Sequence, residues 1–150
     1  MKDFIETRII AAIRKLLVER ANEFLRDMEF VIPLIEFGGC GHGCAVVPVI
    51  VLSTCEQSEK ERIIRLDAYS LTITFELPEA PESELHCYAY SAAVNRAIEE
   101  NPTLGGIVDR AVITGKKYVS PKKQNCGENW QVIITLRLTV EENEQVTGNR

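Results

Sequence analysis

At 150 residues the chain has the length of one domain, enough to bury a core without disulfide or metal staples. An apolar share of 45% and a charged share of 26% are ordinary for a soluble globular protein, and no apolar run reaches membrane-spanning length. The formal net charge of −5 argues against a specific nucleic-acid binder, which needs clustered Lys and Arg, while leaving room for a local basic patch.

The N-terminus carries charges every few residues from Lys2 to Arg8, so no signal peptide is expected there. Ile5, Ile9, Ile13, Leu16, Ala21, Phe24 and Met28 follow helical spacing, with Leu17 and Leu25 beside them, and predict an amphipathic helix from about Asp3 to Asp27. Ile10 and Val18 lie off this stripe and either widen the buried face or mark a contact with another subunit. Phe30 to Phe37 reads as a strand placed at an edge by Pro33, and Val46 to Leu52 as a second strand. Arg62 to Leu77 is the longest strand candidate. Tyr69, Leu71, Ile73, Phe75 and Leu77 share one face, whereas Ile64, Leu66 and Ala68 have the opposite parity. That phase flip predicts a bulge near Ala68 or a change in which face is covered.

A second helix is expected from Pro81, with Cys87, Tyr90, Val94, Ala97 and Ile98 on one stripe and Ala89, Ala92 and Ala93 beside it. Pro102 and Gly105-Gly106 end it. Ile107 to Val119 and Trp130 to Val140 read as the last strands, the second with Trp130, Val132, Ile134, Leu136, Leu138 and Val140 on one face. The expected fold class is α+β: a single domain over residues 1–140 in the order α-β-β-β-α-β-β, mainly an antiparallel sheet with two helices packed on it, and a polar tail over 141–150.

Three stretches carry a family likeness: Glu59–Phe75 (EKERIIRLDAYSLTITF), Tyr88–Val94 (YAYSAAV) and Pro102–Val108 (PTLGGIV), with Trp130 opening the final strand. In their order and spacing the chain resembles the tail-terminator, or tail-completion, proteins of long-tailed bacteriophages and prophages. The resemblance implies a small α+β subunit that forms a homo-oligomeric ring, usually a hexamer, on the head-proximal end of the tail tube. Such a ring stops tube polymerisation and mediates head–tail joining. The implied partners are the subunit itself, the tail tube protein and the head–neck connector protein. The implied location is the virion tail and neck, and the host cytoplasm during assembly. The family has no known catalytic residues, so none is carried over, and the Gly38–Gly43 segment has no counterpart in it.

Other constellations are weaker. Cys40, His42 and Cys44 sit in a run with four glycines, and Cys55 or Cys126 would serve as a fourth zinc ligand. The alternative function is therefore a small metal-binding or anion-binding module, although the spacing is not that of a finger or ribbon and the plain expectation is a connection between strands. The five cysteines are otherwise expected to be reduced thiols of a cytosolic protein. On a helix consecutive residues point apart, so His86 is expected toward solvent and Cys87 in the core, with no Cys–His catalytic pair. Glu79, Glu82, Glu84, Glu99 and Glu100 read as a solvated face. Lys116, Lys117, Lys122 and Lys123 concentrate positive charge between two strands of an acidic protein. They read either as lysines blunting an edge or as a candidate interface to an acidic neighbour. No catalytic residue, cofactor or metal ligand is assigned, and no enzyme activity is expected.

Overall fold

The computed structural model describes residues 4–38, 45–61, 64–121 and 129–143. Gly39 to Cys44, Lys122, Lys123, Cys126 and the tail beyond Asn143 lie outside the described residues.

The N-terminal stripe folds as expected, with one local variation. Helix α1 (Ile5–Leu16) continues through a π-helical turn (Leu17–Ala21) into α2 (Asn22–Arg26). Ile9, Ile13, Leu16, Leu17, Ala21 and Leu25 are buried along it. Adjacent Leu16 and Leu17 are both inside because the π turn adds a residue there and re-phases the stripe against the core. Of the two off-stripe residues, Ile10 is half-buried and Val18 is exposed.

The four strands are β1 (Val49–Glu61), β2 (Ile64–Leu77), β3 (Arg110–Val119) and β4 (Trp130–Asn143), with α3 (Ser83–Glu100) between β2 and β3. They form one antiparallel sheet in the order β1-β2-β4-β3. The chain is thus an α+β fold with helices on one sheet face, in the order α-β-β-α-β-β. Phe75 and Tyr90 stack face to face at 4.7 Å where α3 crosses the sheet, and Leu71, Ile73, Ile134 and Leu136 close the core around them.

The strand expected at Phe30–Phe37 is not one. Only Ile35 pairs, through a single parallel bridge to Val46 formed by Glu36 N–H to Val46 C=O and Val46 N–H to Leu34 C=O. Pro33 offers no N–H to a ladder, and its carbonyl instead accepts the Tyr90 hydroxyl at 2.7 Å. The two backbone groups of Ile35 that the bridge leaves over go to a side chain. Asn22 donates to the Ile35 carbonyl at 2.9 Å and accepts from its N–H at 2.8 Å. A buried amide on a helix thereby does for this segment what a neighbouring strand would do.

The phase flip in β2 is not a bulge in that strand: Asp67, Tyr69 and Leu71 stay buried on the helix side, and Ala68 is buried on the other face. The register of β2 with β4 is unbroken from Ile64 to Leu77, and the irregularities fall on β1, between Leu52 and Thr54 and between Glu59 and Glu61. The turn after α3 is left-handed at three successive residues, Leu104, Gly105 and Gly106, with φ of 51°, 73° and 92°. The glycines adopt this backbone freely, whereas Leu104 accepts it and places its side chain in the core.

Candidate interaction surfaces

Residues of β3 and β4 alternate between the helix-covered face and the opposite one, and the ladder assigns each side. Lys116 pairs with Ile134 and so lies on the helix side of the edge, whereas Lys117 pairs with Ile133 on the far side. The two described lysines of the proposed interface are both exposed but point to opposite faces, and Lys122 and Lys123 lie outside the described residues. A bulge between Ile113 and Gly115 shifts the phase so that Tyr118 falls on the helix side. There its hydroxyl donates to Ser91 at 2.9 Å and its ring meets Tyr88 edge-on at 5.2 Å.

The sheet face away from the helices is weakly polar. Val49, Val51 and Val112 are 59%, 47% and 37% exposed on it, beside half-buried Thr72, Thr74, Ile133 and Thr135. Beyond Ser53, β1 is exposed on both faces through Glu59. A groove of about 540 Å³ runs between α1 and the left-handed turn. Its floor is Ala12, Leu16, Leu104 and Ile107, and Arg8 and Lys15 flank it. Arg20, at its end, is held by Glu23 at 3.1 Å and Glu100 at 3.2 Å.

One side-chain cluster has the composition of a reactive site. Tyr69, opposite Cys55 in the ladder, donates to Glu6 at 2.8 Å, and nearby Asp67 is buried against Arg65 at 3.1 Å. Burial, and then the hydrogen bond to Glu6, push the Tyr69 phenol well above its usual range. Burial also raises the Cys55 thiol, with the Tyr69 hydrogen bond acting in the opposite sense. Both groups therefore stay protonated at neutral pH, and the cluster ties the start of α1 to the sheet rather than activating a nucleophile.

The His86 expectation needs correcting. The ring is half-buried, stacked on Phe30 at 5.8 Å and edge-on to Tyr90 at 6.5 Å, because the 30–37 segment folds back over α3. Cys87 is buried as expected, and burial followed by the Glu84 charge pushes its thiol up to about 11. Peptide mapping after iodoacetamide treatment at pH 8 should find Cys55 modified in the folded protein and Cys87 modified only on unfolding. Because an unfolded Cys87 ionises near its ordinary 9.0, that residue also makes stability fall as pH rises from 9.0 toward about 11.

Among the described residues no three His, Cys, Asp or Glu side chains converge as metal ligands; Cys40, His42 and Cys44 lie outside them. No helix among the described residues is long and apolar enough to cross a membrane. No family model matches the chain, and no curated protein sequence matches it either.

What sequence reasoning missed was the sheet edge as a whole. Lysines alone drew notice on β3, yet the complementary signal is the acidic run Glu56, Glu59 and Glu61 on β1, at the other edge.

Proposed function

We propose that this protein is a tail terminator of a long-tailed bacteriophage or prophage. In this reading it forms a ring, a hexamer by family resemblance, on the head-proximal end of the tail tube. The ring stops tube growth and presents a different face to the head–neck connector. A growing tube exposes a self-complementary end, and a ring that matches that end but not itself in the axial direction blocks further addition. The work is done by surface matching between copies and neighbours, without bond-making chemistry.

The observation that carries the reading is where the resemblance-bearing segments fall. Glu59–Phe75 lies mainly along β2, and Tyr88–Val94 supplies buried Ala89, Tyr90, Ala93 and Val94 of α3. Pro102–Val108 makes the left-handed turn that lines the groove, and Trp130 opens β4. These segments thus build the sheet's central strands, the helix over them and one wall of the groove, between the two edge strands β1 and β3. Lateral association of copies uses surfaces of this kind.

Electron microscopy of tails made with and without this protein tests the reading. Tubes of heterogeneous, excessive length in its absence are the expected result. Tails of normal length and normal attachment to heads in its absence would overturn it.

A further inference from the structure

We infer that copies of this chain join through their sheets, with β1 of one subunit pairing antiparallel to β3 of the next. The inference rests on the ring reading above and names the surface by which the ring closes.

Three observations carry it. First, β1 and β3 are the two edges of the sheet, each with one side unpaired among the described residues. Every neighbouring pair is antiparallel, so β1 and β3 run in opposite directions. A second copy set alongside in the same orientation therefore brings its β3 antiparallel to β1, the pairing with straight interstrand hydrogen bonds.

Second, the edges carry opposite charge. β3 holds Arg110, Lys116 and Lys117 and no acidic residue, whereas β1 holds Glu56, Glu59 and Glu61 against one lysine. Lysines and bulges on an edge ordinarily prevent sheet-to-sheet association. Here the unlike charges favour β1 with β3, the pairing of edges that gains an opposite-charge contact. That unlike combination is heterologous: head to tail, and a ring when the rotation closes.

Third, one unlike pair is level across the sheet, while Lys116 and Lys117 stand level with Ile50 and Val49. One rung crosses all four strands, Glu56 to Ala68 to Thr139 to Arg110. Side chains on a rung share a face, so an unstaggered second copy places Arg110 opposite Glu56 on the uncovered face. Continuing the sheet also extends that face across copies and leaves the helices and the groove outside the joint.

Charge exchange tests this. In one variant Glu56→Lys and Glu59→Lys make both edges basic; in the other Arg110→Glu, Lys116→Glu and Lys117→Glu make both acidic. All five side chains are exposed, so circular dichroism should show each variant folded. Sedimentation at low ionic strength is expected to show wild-type oligomers, each variant weakened at least about tenfold in self-association, and oligomers regained in the equimolar mixture. A tenfold change corresponds to one rung of complementary charge worth about 1.4 kcal/mol.

Three results would overturn the inference: wild-type protein monomeric up to its solubility limit, variants that associate like wild type, or a mixture that fails to recover. Tail-length microscopy is read separately. Rings that survive both charge reversals sink the edge pairing and leave the terminator reading standing. A charge exchange that behaves as expected beside tails that need no terminator does the reverse.

Discussion

Replacing Tyr90 with alanine is expected to cost about 3–5 kcal/mol, the range for removing a large buried aromatic side chain. Tyr90 is fully buried, and its ring joins three parts of the molecule: Phe75 of the sheet, His86 of its own helix and, through its hydroxyl, the Pro33 carbonyl. A domain of this size has only about 5–15 kcal/mol in total, so the variant should be partly unfolded at physiological temperature. Tyr90→Phe separates the contributions. It keeps the stacked ring and leaves the Pro33 carbonyl without its donor, a loss of about 1–3 kcal/mol. Urea denaturation followed through Trp130 fluorescence measures both. Tyr90→Ala within 1 kcal/mol of wild type, by the same order-of-magnitude scale, would contradict the packing described for α3.

Asn22→Leu is the second large effect. The leucine has the same branched skeleton as the amide, with a larger volume, and is at home on the buried stripe of the helix, so a rule based on hydropathy alone expects a gain. The hydrogen bonds say otherwise. Both the N–H and the C=O of Ile35 lose their partner, and neither is used by the bridge to Val46. Each unpaired buried backbone group costs about 1–3 kcal/mol, which puts the loss near 2–4 kcal/mol after some relaxation. The midpoint of urea unfolding should fall accordingly, and hydrogen exchange at Ile35 should accelerate first. A variant as stable as wild type would show that the 30–37 segment is held by its apolar contacts instead.

These two residues also explain where the sequence was readable. The stripes of the N-terminal helix and of α3, and the alternation along β2 and β4, follow from periodicity because one face of each element meets a single core. The stop at Pro102 and Gly105-Gly106 was readable because both residue types act on the backbone locally. Phe30 to Phe37 has the composition of a strand, but its pairing partner is a side chain thirteen positions back along the sequence, and no local pattern reveals that. The same segment covers His86, so an error about one element became an error about a side chain on another. The π turn left no trace beyond two adjacent leucines, Leu16 and Leu17.

The candidate interface was only half readable. Lys116 and Lys117 were visible as a charge cluster, yet period-two alternation sends neighbours to opposite faces, so they cannot act as one patch on a flat surface. They act together only when the edge itself is the contact, because both flank the same unpaired backbone. Recognising that requires knowing that β1 lies at the far side of the sheet, a fact of topology that strand propensities do not contain.

The central claim is that this chain ends tube growth by fitting the tube, and the most direct measurement adds purified, fluorescently labelled protein to tail tube protein polymerising in vitro. The account predicts label at one end of each tube and an arrest of growth at that end. Label spread along the tubes, or growth rates unchanged by saturating protein, would contradict it.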